Sequence, residues 1–196
     1  MGNREIEIYL CRHGETEWTV SGQHTGETDI ALTVTGRRQA LELGKKLARL
    51  NLGRVLSSPL KRAVETCKLA AGDSFLLEPN AVEWRYGKYE GKKHEDLPAD
   101  WDLFRDGAPG GESVEAVGRR ADLVLERLKE GGTLFSHGHF LRVLAARWLG
   151  LDPAMGRCFY LSVASLSVLG FEHGKPVVKQ WNLCGVTIQD GKTESK

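Results

Sequence analysis

Two short motifs in this chain place histidine beside glycine, directly after a mostly apolar run. The first is Arg12-His13-Gly14 after residues 6–11, and the second is His137-Gly138-His139 after residues 133–136. A side chain one step past a buried strand lies at the rim of an α/β sheet, where ligands bind. Arginine presents a planar set of N–H donors to phosphate oxygens, and imidazole can act as a nucleophile. The motifs therefore predict a phosphate site in which histidine reacts.

Two further residues are candidates for the same site. Arg62 falls in the first turn of a helix predicted after the short strand 54–57, so its side chain can reach the same end of the sheet. Glu83 stands among aromatic residues, a setting suited to a carboxyl that donates a proton. Taken alone, each is more typical of a solvent-exposed charged residue than of a site residue. Their order in the chain favours a site.

Composition restricts the class of protein. The chain has 196 residues, of which 41% are hydrophobic and 27% charged, and its 27 basic and 26 acidic side chains give a net charge of +1. This balance predicts no nucleic-acid or membrane partner, so the anion site must be local. The length favours one domain over residues 1–189, followed by a polar tail at 190–196.

Cysteine usage and the N-terminus indicate a cytoplasmic protein. The four cysteines, Cys11, Cys67, Cys158 and Cys184, show no paired spacing, which argues against a disulfide framework or a zinc site. His137 and His139 have no acidic residue nearby to complete a metal ligand set. Charged residues at positions 4 and 5 interrupt any signal peptide, and no apolar stretch is long enough to span a bilayer.

The periodicity of apolar residues predicts how the site is positioned. Residues 14–32 are polar and predict a loop, and residues 79–111 predict an irregular aromatic and Gly-rich region. Helices are predicted at about 33–50, 60–71, 114–128 and 140–149, and strands at 6–11, 54–57, 75–77, 133–136, 164–171 and 177–181. The alternation predicts a three-layer α/β/α sandwich with a mostly parallel sheet and an antiparallel edge hairpin.

Together these motifs resemble branch 1 of the histidine phosphatase superfamily, the phosphoglycerate-mutase-like fold. The Arg-His-Gly signature matches residues 12–14, the second arginine segment matches 57–66 with Arg62, the acid matches Glu83 and the second histidine matches His137. The resemblance covers nearly the whole chain. It implies a metal-independent phosphomonoesterase that requires no cofactor.

The resemblance also implies a role for each residue. His13 attacks phosphorus and becomes a phosphohistidine, while Arg12, Arg62 and His137 bind the nonbridging oxygens. Glu83 protonates the leaving alcohol and then activates water. Thr25 and Gly26 match a loop that offers donors to the phosphate. His139 is either a second substrate contact or only a residue of the helix N-terminus, and the sequence slightly favours the latter.

Residues 21–29 and 83–91 are similar to the fungal sedoheptulose bisphosphatase subgroup. This similarity implies a small sugar phosphate, or a bisphosphate whose second phosphate meets Arg85, Lys88, Lys92 or Lys93. A solvated basic loop explains these cations equally well. The aromatic residues Trp84, Tyr86, Trp101 and Phe104 are candidates for a wall around the substrate or for loop packing.

Three alternative functions stay open at this point. A cofactor-dependent phosphoglycerate mutase is disfavoured because only 54 positions separate Glu83 from His137 and because Thr19 replaces the asparagine of the mutase pattern. Protein phosphohistidine phosphatases tend to be shorter and lack the acid segment. A non-catalytic phosphate-binding regulator would have no need of Glu83.

Overall fold

A computed structural model describes residues 6–184 of the chain. Its centre is one six-stranded sheet with the strand order β3-β2-β4-β1-β5-β6. The strands are β1 (Ile8–Arg12), β2 (Val55–Ser57), β3 (Leu76–Leu77), β4 (Gly132–Ser136), β5 (Leu166–Glu172) and β6 (Lys175–Leu183). The first four in sequence are parallel, and β5 and β6 are antiparallel. The predicted sheet with its antiparallel edge is confirmed.

Within the described residues, six α-helices accompany the sheet: α1 (Glu17–Ser21), α2 (Val34–Leu47), α3 (Lys61–Ala71), α4 (Leu103–Asp106), α5 (Val114–Arg127) and α6 (Gly138–Trp148). Alternate residues of β1 point to opposite faces of the sheet. Ile8 and Leu10 pack in one apolar cluster with α5 and α6, and Tyr9 and Cys11 pack in another with α2 and α3. The two clusters separate the three predicted layers.

Helix ends follow local capping chemistry. Thr33 precedes α2 and its side chain accepts a hydrogen bond from the N–H of Gly36, and Ser113 does the same for Ala116 in α5. The helix α3 has no cap from its own N-cap residue, Leu60. Instead, the N–H of Lys61 donates to Asp29 at 2.7 Å, which ties the start of this helix to the loop before α2.

The structure differs from the sequence prediction in the loops. The segment 14–32 contains the short helix α1, which a reciprocal capping box between Thr16 and Thr19 begins and a left-handed Gly22 ends. Residues 79–111 contain three single-turn 3₁₀ helices in addition to α4. The predicted polar tail, 190–196, lies outside the described residues, as do residues 1–5. Within residues 6–184, no helix is long and apolar enough to cross a membrane.

Candidate active site

The two histidine motifs meet at the carboxyl end of the sheet. Arg12 and Ser136 are register partners on the adjacent parallel strands β1 and β4, so His13 and His137 each follow at the same level. The N–H of His13 donates to the carbonyl of Ser136 at 3.0 Å. The two imidazole ring centroids lie 5.2 Å apart. The predicted convergence of these histidines is therefore present.

The His13 ring is held in one tautomer. Its Nδ1 lies 2.7 Å from the carbonyl oxygen of Gly14, and because a carbonyl only accepts, Nδ1 carries the hydrogen. The other nitrogen, Nε2, keeps its lone pair when the ring is neutral. Burial lowers the pKa of His13 well below its ordinary 6.5, and the nearby Arg62 and Arg12 lower it further. His13 also lines a cleft at this end of the sheet.

The turn after His13 requires glycine because it packs against the start of α2. A methyl group at Gly14 would lie 2.5 Å from the carbonyl oxygen of Gly36, far inside contact distance. The N–H of Gly14 donates to Oγ1 of Thr66 at 3.0 Å, and that hydroxyl donates to the carbonyl of Arg62 at 2.7 Å. The nucleophile's turn is thereby attached to α3.

Arg62 is completely buried and organises the loop opposite the histidines. Its Nη1 donates to the carbonyl of Thr28 at 3.0 Å, and its Nη2 donates to those of Thr25 and Gly26 at 3.1 and 2.9 Å. Its Nε donates to Nδ1 of His137 at 3.1 Å. Arg62 therefore holds both His137 and the loop at residues 25–28 in place, and it also supplies a positive charge beside the site.

His137 has a partner on each ring nitrogen. Because Arg62 can only donate, Nδ1 of His137 accepts, and Nε2 carries the hydrogen and donates to Oγ of Ser58 at 2.7 Å. Burial lowers the pKa of His137 well below 6.5, with Arg62 as the next cause. Ser58 itself is fully buried. This tautomer leaves the Ser58 hydroxyl hydrogen available for a further acceptor.

Arg12 reaches the cleft from β1 and is only partly bonded within the protein. Its Nη1 donates to the carbonyl of Leu161 at 2.5 Å. Its Nε is buried and has no hydrogen-bond partner among residues 6–184. Buried N–H groups are normally paired, so this donor is suited to a bound anion.

The carboxyl group of Glu83 caps the N-terminus of α6. Its Oε1 accepts from the N–H groups of Trp84 and Phe140, both at 2.9 Å, and its Oε2 accepts from the N–H of His139 at 3.1 Å. The carboxyl is 5% exposed and faces the cleft that contains His13. A carboxylate offers about four acceptor positions, so Oε2 keeps one for a proton.

The cleft has a volume of about 470 Å³. Its lining includes Arg12, His13 and Glu83, and also an aromatic wall with Trp18, Tyr86 and Tyr160. His139 belongs to that wall, because its Nδ1 lies 2.6 Å from the hydroxyl oxygen of Tyr86 and both residues line the cleft. His139 thus lies both in the first turn of α6 and on the cleft wall, and its role as a substrate contact stays a prediction.

The structure does not bring all the sequence candidates to the cleft in the same way. Thr25 lines it, whereas the Gly26 N–H donates to the carboxylate of Glu90 at 2.9 Å and so is not free for a phosphate. Arg85 does not line it: its side chain is 54% exposed and its Nε lies 4.0 Å from Glu112. The expected phosphate contacts of Gly26 and Arg85 therefore lack support in this geometry.

Sequence reasoning missed two residues that shape the site. Glu90 accepts the N–H groups of both Gly26 and Thr28, and so holds the loop whose carbonyls hold Arg62. Ser58 fixes the ring of His137. Ser58 carried a signal, since it directly follows the strand β2. Glu90 carried none, because its partners lie more than 60 positions away in an irregular loop.

Metal binding has no candidate site in the described part of the chain. No group of three or more His, Cys, Asp or Glu side chains within residues 6–184 is arranged to hold a metal ion. The four cysteines are free thiols, and Cys11 and Cys67 are buried in the core.

Known proteins are similar to this chain both in sequence and in fold. The family model of the histidine phosphatase superfamily (branch 1) matches residues 8–184. An acid phosphatase of Mycobacterium tuberculosis is 41% identical over 95% of this chain and 96% of its own length. The sedoheptulose 1,7-bisphosphatase of Saccharomyces cerevisiae is 33% identical over 72% of this chain and 67% of its own.

A solved structure agrees with these sequence matches. The structure of an open reading frame product from Mycobacterium tuberculosis superimposes with a TM-score of 0.89 at 38% identity, covering 93% of this chain and 100% of the other. The fold, the order of the motifs and the relatives agree. The chain belongs to branch 1 of the histidine phosphatase superfamily and is a phosphatase.

Proposed function

We propose that this phosphatase hydrolyses small phosphomonoesters through a phosphohistidine formed on Nε2 of His13. One observation carries the proposal: the hydrogen bond from Nδ1 of His13 to Gly14 directs the proton to Nδ1 and leaves the Nε2 lone pair available. Burial and two arginines keep the ring neutral, and the neutral form is the nucleophile.

In the first half-reaction, the Nε2 lone pair of His13 forms the bond to phosphorus while the bond to the leaving oxygen breaks. The negative charge on the phosphoryl oxygens is stabilised by Arg12, which lines the cleft and whose buried Nε is unpaired among the described residues. Arg62 and His137 lie directly behind and support this arrangement with their charge and hydrogen bonds.

Glu83 supplies and then removes the proton. In its acid form it gives a proton from Oε2 to the leaving oxygen, so that a neutral alcohol departs. The resulting carboxylate then accepts a proton from water, whose oxygen attacks phosphorus and breaks the bond to His13. Phosphate leaves and both residues return to their starting state. The three backbone N–H groups on Glu83 fix its orientation through both steps.

The substrate side of the proposal rests on the cleft. Its size suits a small phosphorylated metabolite such as a sugar phosphate, and Thr25 lies where it can contact that substrate. Gly26 contributes through its carbonyl bond to Arg62 rather than through its N–H. Relatives named as an acid phosphatase and a sugar bisphosphatase support a phosphomonoester substrate.

The test is release of inorganic phosphate from a panel of sugar phosphates and aryl phosphates after treatment with a chelator. His13→Asn is expected to abolish release. The matched control is His173→Asn, because His173 lies in the exposed β5–β6 turn at a φ of 50°, which asparagine tolerates. Equal loss in both variants, or full activity of His13→Asn, would refute the mechanism.

A further inference from the structure

Besides the reactive residues, the lining of the cleft contains a group of rings. His24, Tyr86 and His139 line it together with Trp18 and Tyr160. The His24 and His139 rings are parallel to within 9° with centroids 6.4 Å apart. Tyr86 stands nearly perpendicular to both, at 5.0 Å from His24 and 5.8 Å from His139. These flat faces and edges suit a leaving group that itself contains a ring.

Packing behind the wall holds these rings in place. The ring centroids of Trp101 and His24 lie 5.4 Å apart in a T-shaped arrangement, and those of Phe104 and His139 lie 5.6 Å apart. The Nδ1 of His24 donates to the carbonyl of Lys92 at 2.9 Å, and Tyr86 is 2% exposed. The wall is therefore present before the substrate arrives, and rigid ring surfaces bind at low entropic cost.

The wall carries little charge. Burial, followed by Arg142, His24 and Arg12, lowers the pKa of His139 well below 6.5, and burial followed by Glu83 raises the pKa of Tyr86 well above 10. Both side chains are neutral at neutral pH. They still offer hydrogen bonds, because the Tyr86–His139 pair uses only one of its two hydrogens, whichever tautomer it adopts.

The lining of the cleft offers few cations. Among the described residues that line the cleft, Arg12 is the one with a lysine or arginine side chain, and it lies on the phosphate side. Arg142 lies behind the ring of Phe104, and its Nε and Nη2 donate to the carbonyls of Gly156 and Arg157. The carboxylates nearest Tyr86 are those of Glu83 and Glu90. Within the described lining of the cleft, a second anionic group on the substrate would meet no lysine or arginine other than Arg12.

We propose that His24, Tyr86 and His139 form the leaving-group subsite, and that this subsite selects phosphomonoesters of uncharged, ring-containing alcohols over esters with a second anionic group. The proposal rests on the proposed phosphatase function and narrows it. It disfavours the bisphosphate and the basic-loop contacts that the sequence left open for Lys88, Lys92 and Lys93.

The test compares substrates that differ in one anionic group. One pair is phenyl phosphate and 4-carboxyphenyl phosphate, and the other is fructose 6-phosphate and fructose 1,6-bisphosphate. All four esters are measured at the same pH. We expect kcat/KM to be at least about 10-fold higher for the member without the second anion in each pair. The para carboxylate does not make the phenol a poorer leaving group, so chemistry alone does not produce this order.

Variants test whether residues of the aromatic wall produce the selectivity against a second anionic group. His139→Lys is expected to shift the phenyl pair by about 10-fold towards the carboxylated ester. Lys92→Ala and Lys93→Ala are expected to leave both ratios unchanged. A specific fall in bisphosphate turnover in either lysine variant would overturn the proposal, and so would an unchanged ratio in a folded His139→Lys protein.

Different results would overturn the leaving-group subsite and the proposed phosphatase function. Equal or higher kcat/KM for the esters with the second anion would overturn the leaving-group subsite and leave the phosphatase mechanism intact. No phosphate release from any of the four esters would overturn the proposed function itself. The comparison uses the unmodified protein, so it decides the matter even where a variant does not fold.

Discussion

Nε of Arg62 donates a hydrogen bond to Nδ1 of His137 at 3.1 Å, and both side chains are fully buried. The same guanidinium binds the carbonyls of the loop at residues 25–28. The Arg62 guanidinium therefore fixes both the tautomer of His137 and the position of the loop at residues 25–28. This dual role is a consequence of the fork geometry of arginine, which lysine does not reproduce.

Arg62→Lys is accordingly expected to be nearly as damaging as Arg62→Ala. Lysine keeps the charge but leaves buried carbonyls of the loop unpaired, each at a cost of about 1–3 kcal/mol. We expect a fall in kcat/KM of about 100-fold and a lower Tm in both variants. Arg54→Lys is the control, because Arg54 is exposed and donates to a single carbonyl. Near-normal kcat/KM in Arg62→Lys would show that charge alone is needed.

Glu83→Gln tests the proton transfer. We expect a fall in kcat/KM, which reports the first half-reaction alone, of about 100-fold or more for alkyl phosphates, because the leaving alkoxide then departs without a proton. The loss is expected to be much smaller for 4-nitrophenyl phosphate, whose leaving group departs readily as an anion. Equal losses for the two substrates would assign Glu83 a purely structural role at the start of α6. Glu42→Gln, on the exposed face of α2, serves as the control.

The acid side of the pH profile reports on His13. Its pKa lies well below 6.5, mainly through burial and then through Arg62 and Arg12, so the unprotonated nucleophile persists as the pH falls below 6.5 and is lost only at the lower value. Removing a neighbouring cation raises this pKa, and Arg62→Met should therefore move the titration to higher pH. NMR of the His13 imidazole during acid titration measures this directly. A midpoint at or above 6.5 in the unmodified protein would contradict it.

Glu90→Ala is expected to weaken phosphate binding although Glu90 does not line the cleft. The change leaves the N–H groups of Gly26 and Thr28 without their carboxylate, and the loop that holds Arg62 loosens. We expect an increase of about 10-fold in the Kd of inorganic phosphate, with partial rescue by Glu90→Gln, which retains one acceptor oxygen. An unchanged Kd together with a lower Tm would limit Glu90 to fold stability.

Much of the fold could be predicted from the sequence, because it depends on local periodicity. The strands before His13 and His137 are apolar runs that end in glycine motifs, and the N-cap at Thr33 is a matter of neighbouring residues. The helix α1 was not predicted, because five residues without a buried face give no periodic signal. The capping-box residues Thr16 and Thr19 were the feature of the sequence that could have indicated this helix.

The site was predictable where strand ends bring residues together and not where loops do. His13 and His137 converge because β1 and β4 are adjacent and parallel. The loop partners of Arg62 and Glu90 lie between 34 and 64 positions away in irregular segments. Such contacts depend on the tertiary path of the loops, which composition and spacing do not encode. For the same reason, the position of His139 on the cleft wall became apparent only in the structure.

Trapping the covalent intermediate tests the central claim most directly. The protein is mixed with a phosphomonoester, quenched in base within the first turnover, digested and analysed by mass spectrometry. The account predicts one added phosphoryl group on the peptide that contains His13, alkali-stable and acid-labile, and its absence in His13→Asn. Phosphate release from the unmodified protein with no phosphorylated His13 peptide, or with the label on another residue, would contradict the account.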